Sequence, residues 1–293
     1  MTKIERSAFT ECSKLKQINI PNGVISLYGV FPGCNHLEKI IIPDDHPNLL
    51  SIDGVIFNKE PMVLVFYPPT KKEKSYVVPE GTTKILSFAF EKSKLESLEI
   101  PGSVKKLESN AFIFSKLKSV ILHEGVEEFG SWPFEWCESL TEITLPSTLI
   151  TFKGNPFLGC KKLKTVIVAE DNPSLAIIDG ALVDQKNKTL LWYPIPSKAK
   201  SWTVPEGIEK IASDAFHLAK LNELILSEGV KSITQIDDLK NLKRMVLPST
   251  LESIDIHQSY GINLSKIVFV VTPGSYAENY CQAYNLNYEV AGE

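Results

Sequence analysis

The chain has 293 residues, of which 43% are hydrophobic, and a formal net charge of −4. The composition is ordinary for a folded globular protein. The acidic balance argues against nucleic acid or an anionic membrane as the main partner, because both attract basic surfaces. The longest apolar runs, at 62–67 and 267–271, are too short to span a bilayer, so no membrane insertion is predicted.

The first predicted element is a strand motif that recurs along the chain. Residues 15–21 read Leu-x-x-Ile-x-Ile-Pro after Ala8-Phe9, and the pattern returns 22 residues later at 37–43. Further copies begin at Leu95, Leu117, Leu140, Leu163, Leu221, Leu242 and Leu264. Leucines at this spacing, in repeats of about 20–29 residues, are typical of a leucine-rich-repeat solenoid. We therefore predict a curved, right-handed, β-rich coil with one parallel sheet on one face and short strands or 3₁₀ turns on the other.

The regular step is broken twice by an inserted segment. Between Pro43 and Pro79 it grows to 36 residues, and the extra sequence contains β-rich runs near 48–68 that are separated by polar turn residues. The break recurs near 174–194, and equivalent residues of the two blocks differ in number by 126, as Asp53 and Asp179 do. Such runs predict an inserted β-hairpin in each block. We expect both hairpins to protrude.

The tail differs from the repeats. Ser275 followed by Glu278 is typical of a capping box at the start of a helix. Residues 276–284 then predict a short amphipathic helix, and 286–290 predict a last short strand. A solenoid needs such a cap over its final coil. The chain is therefore interpreted as one repeat domain, 1–293, with about eleven coils over 1–269 and a C-terminal helical cap over 270–293.

Several of these segments carry a family resemblance. They are the pattern AFxxCxxLxxIxIP at 8–21 with echoes at 134–146 and 157–168, IDGxxF at 52–57, and GSYAE at 274–278. With them the chain resembles the BspA-like leucine-rich-repeat proteins of bacteria and some protozoa. The resemblance implies a cell-surface or secreted protein with a protein partner, for example a host extracellular or cell-surface protein. It implies no catalytic residues.

The start of the sequence carries no targeting signal. It lacks the basic stretch and apolar segment of a signal peptide. It also opens in the middle of a repeat, which suggests a fragment of a longer chain. The missing signal therefore says little about the native location.

Four of the five cysteines occupy one position of the repeat: Cys12, Cys34, Cys137 and Cys160. A degenerate coil places Leu239 there, and a position that takes cysteine or leucine behaves as buried and apolar. We favour free thiols. Coils stacked about 4.8 Å apart would also permit the bridges Cys12–Cys34 and Cys137–Cys160. No CxxC or zinc-type cluster is present, so neither a metal nor another cofactor is predicted.

The remaining polar motifs favour structure over chemistry. None of the five histidines, His257 among them, belongs to a recognisable metal or catalytic spacing. The pairs Asp53-Gly54 and Asp179-Gly180 are interpreted as turns. The alternative, a calcium site, would need six or more oxygen ligands.

The outward side of the predicted strands offers a candidate binding surface. Just before the last inward residue of each motif lies a column of positions that are mostly aliphatic, here called the aliphatic column: Ile41, Val77, Ile121, Ile167, Ile225, Val246 and Val268. Branched residues suit any pleated surface, so the column is either scaffold or a contact surface for a protein. Aromatic residues of the insertions, Phe66-Tyr67 and Trp192-Tyr193, are a second candidate.

Three functions remain open from the sequence. We favour a non-enzymatic, adhesion-type protein-binding module. The first alternative is a structural spacer in a larger surface protein. The least favoured is a hydrolase that uses carboxylates such as Glu99 and Glu142 on an open surface, because no nucleophile with its base and orienting group is visible.

Overall fold

The computed structural model describes residues 3–256 and 259–291. His257 therefore lies outside the described residues. The chain divides into two compact units. Unit 1 consists of Met1–Cys160 and Ile167–Asn172, and unit 2 of Lys161–Val166 and Pro173–Glu293. Both are β-solenoids with very little helix, which confirms the predicted fold class.

The strands of unit 1 are short and follow the repeat. In chain order they are β1 (Gln17–Asn19), β2 (Lys39–Ile41), β3 (Leu49–Ile52), β4 (Val55–Asn58), β5 (Val63–Phe66), β6 (Ser75–Val77), β7 (Lys84–Ile85), β8 (Ser97–Ile100), β9 (Lys106–Leu107), β10 (Ser119–Leu122), β11 (Glu128–Phe129), β12 (Glu142–Leu145) and β13 (Thr165–Val168). The last two residues of β13 belong to this unit.

The repeat motifs form the strand face of unit 1. The strands β6, β8, β10, β12 and β13 make a five-stranded sheet in this order, and β1 and β2 make a separate parallel pair. In β10 the side chains of Val120 and Leu122 are buried, whereas Ser119 and Ile121 are exposed. This alternation is the period-2 pattern of a strand with one buried face. The strand face of unit 1 comprises two sheets, because the inserted segment follows β2 and no described pairing joins β2 to β6.

The return segments form a second sheet, in the order β11, β9, β7, β5, β4, β3. The two-residue strands β7, β9 and β11 pair in parallel, which confirms the prediction of short strands on this side. The inserted strands join the same sheet, because β5 pairs antiparallel with β4 and parallel with β7. The insertion is therefore a three-stranded antiparallel segment within the sheet.

The expectation of protruding hairpins was wrong. Val55, Ile56, Phe57 and Leu64 are fully buried. A continuous apolar run is typical of a strand that is covered on both faces, and an exposed hairpin would leave one of these faces in water. The insertion thus contributes core and does not extend from the surface.

The turn interpretation of the Asp-Gly pair is confirmed. Ile52 pairs with Val55 across Asp53-Gly54, and both turn residues have positive φ, 49° and 80°. Two consecutive residues of positive φ form the type I′ turn that suits the twist of a two-residue hairpin. The Lys71 ammonium donates a hydrogen bond to the Asp53 carbonyl at 2.8 Å.

Unit 2 repeats this plan. Its elements are β14 (Leu175–Ile178), β15 (Ala181–Asp184), β16 (Thr189–Trp192), β17 (Ser201–Thr203), β18 (Lys210–Ile211), β19 (Glu223–Ile225), β20 (Ser232–Ile233), β21 (Arg244–Val246), β22 (Ser253–Ile254), a 3₁₀ helix (Leu264–Lys266), β23 (Val268–Val271), α1 (Tyr276–Ala283) and β24 (Tyr288–Val290). The strand face is the sheet β17, β19, β21, β23, β24, and the return sheet is β14, β15, β16, β18, β20, β22. Asp179-Gly180 forms the same turn, with φ 49° and 81°.

The predicted C-terminal cap is present. The Glu278 N–H donates to the Ser275 hydroxyl at 3.2 Å, and the Glu278 carboxylate accepts from the Gly274 N–H at 2.7 Å. The second bond reaches one residue further back than in a capping box, but it has the same effect on the first turn. Ala277 and Cys281 of α1 are fully buried, and β24 adds a parallel strand to β23.

A ladder of aromatic rings runs through the core of unit 1. Phe112 stacks between Phe90 and Phe134, with ring centroids at 5.2 and 4.9 Å. Tyr67 extends the ladder at one end and Phe157 at the other, at 5.1 and 5.9 Å from their neighbours. Phe90, Phe112, Phe134 and Phe157 are all fully buried. The ladder links successive coils through side chains as the sheets link them through the backbone.

All five cysteines are free thiols, which confirms the favoured interpretation. Three of the thiols donate to the phenylalanine carbonyl of the preceding coil: Cys34 to Phe9 at 3.0 Å, Cys137 to Phe112 at 3.2 Å and Cys160 to Phe134 at 3.1 Å. Burial raises the pKa of the Cys34 thiol to about 11. The same cause raises the pKa of Cys281 to about 11.

Candidate functional site

The most exposed part of the aliphatic column lies on the five-stranded sheet of unit 1. Val77 pairs with Glu99, and Glu99 with Ile121. The register of β10 with β12 continues the column through Thr144, and Ile167 follows on β13. Val77, Ile121 and Ile167 are 60%, 55% and 44% exposed. These three side chains, here called the exposed row, stand on alternate strands and are therefore about 10 Å apart.

Polar residues separate the members of the exposed row. Glu99 lies between Val77 and Ile121, and its carboxylate is 2.7 Å from Nε2 of His123, the residue after β10. Thr144 is exposed between Ile121 and Ile167. The row is therefore an alternation of branched aliphatic and hydrogen-bonding groups.

An ion-pair network lies beside the exposed row, in the residues that immediately precede the strands of this sheet. The Glu96 carboxylate accepts from Lys118 at 2.6 Å and from Lys74 at 2.8 Å. These hydrogen bonds, Lys118 first, hold the pKa of Glu96 at about 2. The three residues immediately precede β6, β8 and β10, so lysine, glutamate and lysine alternate across three adjacent strands. The charges beside the exposed row are thus largely neutralised by ion pairing.

The other predicted members of the column are less accessible. Ile41 lies in the separate pair of β1 and β2 and is half-buried. In unit 2, Ile225 and Val246 pair with each other and are also half-buried. The seven residues do not form one row on one sheet.

The placement of Val268 in the column was wrong. Strands β21 and β23 pair Arg244 with Val268, and Val246 with Val270. The 3₁₀ helix Leu264–Lys266 precedes β23 and displaces the strand, so that Phe269 and Val271 point inward. Val270 takes the column position, but it is only 8% exposed.

The aromatic residues of the insertions are not available as a binding surface. Phe66, Tyr67, Trp192 and Tyr193 are between 1% and 7% exposed. Tyr67 instead stacks against Phe90 of the neighbouring coil, and Tyr193 packs against Phe216 with its ring tilted by 42°. The sequence hypothesis of binding through exposed aromatics here is therefore corrected.

The carboxylates of the hydrolase alternative do not converge. Glu99 is on β8 and Glu142 on β12, with β10 between them. They also occupy different columns, because Glu142 pairs with Ser119 whereas Glu99 pairs with Ile121. Within residues 3–256 and 259–291, no group of three or more His, Cys, Asp or Glu side chains is placed to hold a metal ion. No helix in this described part combines the length and apolar character that crossing a membrane requires.

The structure also shows a feature that the sequence reading missed. In unit 2 an open cavity of about 690 Å³ lies beside the starts of β17, β19, β21 and β23. Four lysines and three asparagines line it: Lys200, Lys240, Lys243, Lys266, Asn222, Asn241 and Asn263. The charge of this cavity depends on one difference between the two blocks. An alignment of the blocks at their offset of 126 residues would have shown it, because Asn222 takes the position of Glu96.

Stacked parallel strands built from leucine-spaced motifs, with inward aliphatic side chains and return segments that carry phenylalanine, define a leucine-rich-repeat protein. The chain matches the family described as BspA type leucine rich repeat region, in six copies over residues 1–70, 65–177 and 196–286. It belongs to this family. The resemblance inferred from the motifs is thereby confirmed.

Solved structures show similar proteins. A leucine-rich repeat protein from Eubacterium ventriosum ATCC 27560 has 16% sequence identity, covers 84% of this chain and 71% of its own, and has a TM-score of 0.56. One from Bacteroides ovatus ATCC 8483 has 19% identity over 99% of this chain and 87% of its own, with a TM-score of 0.45. The pneumococcal vaccine antigen PcpA has 16% identity over 84% and 99%, also with a TM-score of 0.45. At such identities only the fold is shown, and the first of the three shows it. No curated protein sequence matches the chain.

Proposed function

We propose that the chain is a non-enzymatic, adhesion-type protein-binding module that engages a partner protein through the strand face of unit 1. The observation that carries the proposal is the exposed row of Val77, Ile121 and Ile167 on one five-stranded sheet. Side chains of this kind are usually buried or isolated on a surface, and their alignment on a common face is typical of a contact surface.

The geometry suits a protein better than a small ligand. Small molecules bind in concave sites that cover most of their surface, whereas the row lies on the outward side of a sheet. A protein interface typically buries about 800 Å² on each partner and mixes apolar contacts with hydrogen bonds. The alternation of Ile121 with Glu99 and Thr144 offers both kinds of contact.

The location and the class of partner rest on family membership. We place the chain on the cell surface or among secreted proteins, and a host extracellular or cell-surface protein is the proposed partner. The non-enzymatic assignment is supported by Glu99 and Glu142, which lie in different columns of an outward face and do not converge on an enclosed site.

A binding screen followed by matched variants tests the proposal. The chain is immobilised and exposed to purified host extracellular-matrix and cell-surface proteins, and binding is measured by surface plasmon resonance. For any protein that binds, Ile121→Lys combined with Ile167→Lys is expected to raise Kd at least tenfold, because two apolar contacts would become buried charges.

Ile150→Lys is the control, because Ile150 lies outside the strands of this face and is 44% exposed, as Ile167 is. It should leave Kd unchanged, and the thermal stability of all variants should stay close to that of the parent. Equal binding by the parent and the double variant would refute the role of the strand face. A screen without any binder would favour the spacer alternative.

A further inference from the structure

The cavity of unit 2, here called the lysine pocket, collects positive charge. Of its four lysines, only Lys240 forms an ion pair with a described residue, Asp238, at 3.0 Å. Lys200, Lys243 and Lys266 have no ion-pair partner within residues 3–256 and 259–291, and their side chains are exposed. Three ammonium groups around one cavity are therefore uncompensated. A cluster of exposed positive charges of this kind attracts anions.

Nearby carboxylates do not supply this compensation. Glu223 and Glu289 are within reach of the same sheet edge, but both pair with Arg244, at 3.4 and 2.8 Å. Arg244 is the residue after Lys243 and begins β21, so it faces the strand surface and not the cavity lining. The acidic groups of this region are thus already engaged.

In the first block, the lysines at the equivalent positions are neutralised by a glutamate. There Lys74, Glu96 and Lys118 precede three adjacent strands, and the glutamate bridges both lysines. The register of β17, β19 and β21 places Lys200, Asn222 and Lys243 at the equivalent positions of unit 2. An amide has replaced the bridging carboxylate, and the two lysines on either side have lost their common partner.

The lining also carries groups that recognise neutral polar ligands. Asn222 and Asn241 offer amide donors and acceptors, and Asn263 offers its amide donor, because its oxygen already accepts from Ser265. The partly exposed side chains of Ile262 and Val268 supply an apolar wall. A cavity of about 690 Å³ falls in the range of small-molecule sites, about 300–1,000 Å³. Lys200 and Lys243 are two strands apart, which separates their backbones by about 10 Å.

We propose that the lysine pocket binds an acidic oligosaccharide, in which two carboxylate or sulfate groups about 10 Å apart pair with Lys200 and Lys243. The asparagine amides bond to sugar hydroxyls, and the side chains of Ile262 and Val268 cover a ring face. An acidic peptide fits less well, because extended peptides add to open sheet edges, whereas this site is a concavity beside the strand starts. The pocket lies in unit 2 and the exposed row in unit 1. Either this proposal or the protein-binding proposal can therefore be refuted without affecting the other.

The decisive variant is Asn222→Glu. It restores in unit 2 the carboxylate that Glu96 provides in unit 1, so that the pocket carries its own counter-ion. Binding of a sulfated tetrasaccharide, measured by isothermal titration calorimetry at low ionic strength, should weaken at least tenfold. The melting temperature should stay the same or rise, which separates loss of binding from unfolding. Lys243→Gln should weaken binding severalfold, and Glu96→Gln, the matched change in unit 1, should leave it unchanged.

Four probes identify the ligand class: the sulfated tetrasaccharide, its unsulfated counterpart, inorganic sulfate and hexaglutamate. We expect only the first to bind at micromolar concentration, and its affinity should fall as salt is added, because ionic screening weakens charge pairing. Equal affinity of the parent and Asn222→Glu, or no binding of the sulfated tetrasaccharide, would overturn the proposal. Sulfate alone binding as tightly would reduce the site to a single-ion site, and tighter binding of hexaglutamate would assign it to acidic peptides; either result refutes the saccharide assignment.

Discussion

Phe112→Ala is the sharpest test of how the coils of unit 1 hold together. The Phe112 ring is fully buried and lies between two nearly parallel rings, at interplanar angles of 25° to Phe90 and 9° to Phe134. Its backbone is also fixed, because its N–H donates to the Pro133 carbonyl at 2.9 Å. Truncation to alanine therefore removes the ring while the backbone ladder holds the neighbouring coils apart, and a cavity remains.

The expected loss is large for one residue. Phe→Ala substitutions in cores cost about 3–5 kcal/mol, and each aromatic pair contributes about 0.5–1.5 kcal/mol beyond area burial. Two such pairs place Phe112→Ala near the upper end, at about 4–5 kcal/mol. Phe112→Leu keeps most of the volume but loses the stacking, and about 1–2 kcal/mol is expected.

The losses in the free energy of unfolding are measured by urea denaturation, with far-UV circular dichroism and tryptophan fluorescence as the two probes. Free energies are compared only where the two probes give coincident transitions. Phe114→Ala is the control, because Phe114 belongs to the same coil but is 43% exposed, with its ring centroid 6.5 Å from that of Trp136. It should cost less than about 1 kcal/mol. If Phe112→Ala and Phe114→Ala lowered the free energy of unfolding equally, the stacked ladder would not be a source of stability.

Two further predictions concern charge and thiols. The low pKa of Glu96 means that its pairing with Lys118 and Lys74 stabilises the folded chain above the ordinary glutamate pKa of 4.5, and that this contribution is lost as the pH falls towards about 2. The melting temperature of Glu96→Gln should therefore lie below that of the parent at pH 7 and converge with it near pH 2, whereas the exposed Glu170→Gln control should show no such convergence. Iodoacetamide at pH 8 should modify at most the half-exposed Cys12 in the native protein and all five cysteines in urea, since the other four are buried. An intact mass lower by two hydrogens per bridge in the absence of reductant would contradict the assignment of free thiols.

The repeating part of the fold could be predicted from the sequence because its causes are local. The spacing Leu15, Ile18, Ile20 fixes which side chains enter the core, and the same spacing recurs in each coil. The cap was predictable for the same reason, since Ser275 and Glu278 act within one helical turn.

The inserted segments could be located but not placed. The sequence shows β-rich runs on either side of a turn, but it does not show that β5 would pair with β7 and draw the insertion into the return sheet. That outcome depends on which face of the insertion finds a partner elsewhere in the chain. The error for Val268 has a similar origin, because one short 3₁₀ helix shifts the register of β23 and leaves the leucine pattern unchanged.

Backbone conformation was also hidden. Glu11, Lys92, Phe114 and Trp136 occupy the repeat position that Gly33 and Gly159 occupy in other coils, and all have φ between 53° and 77°. A positive φ normally favours glycine. The non-glycine residues at this position therefore gave no indication of a left-handed backbone in the sequence. The lysine pocket could not be predicted for another reason. The difference between glutamate and asparagine at this position is informative only once the structure shows that lysines of the adjacent coils lie beside it.

The inserted antiparallel segments have a consequence for the order of folding. Each pairs residues across a two-residue turn, so the loop that must close is the shortest in its unit, whereas every parallel rung joins residues about one coil apart. Short loops close with less loss of chain entropy and on a microsecond timescale. We therefore expect each unit to nucleate at Asp53-Gly54 or Asp179-Gly180, and the slower parallel rungs to follow through β7 or β18. Pulsed hydrogen exchange during refolding should protect the amides of β4 and β15 before those of β10 and β21.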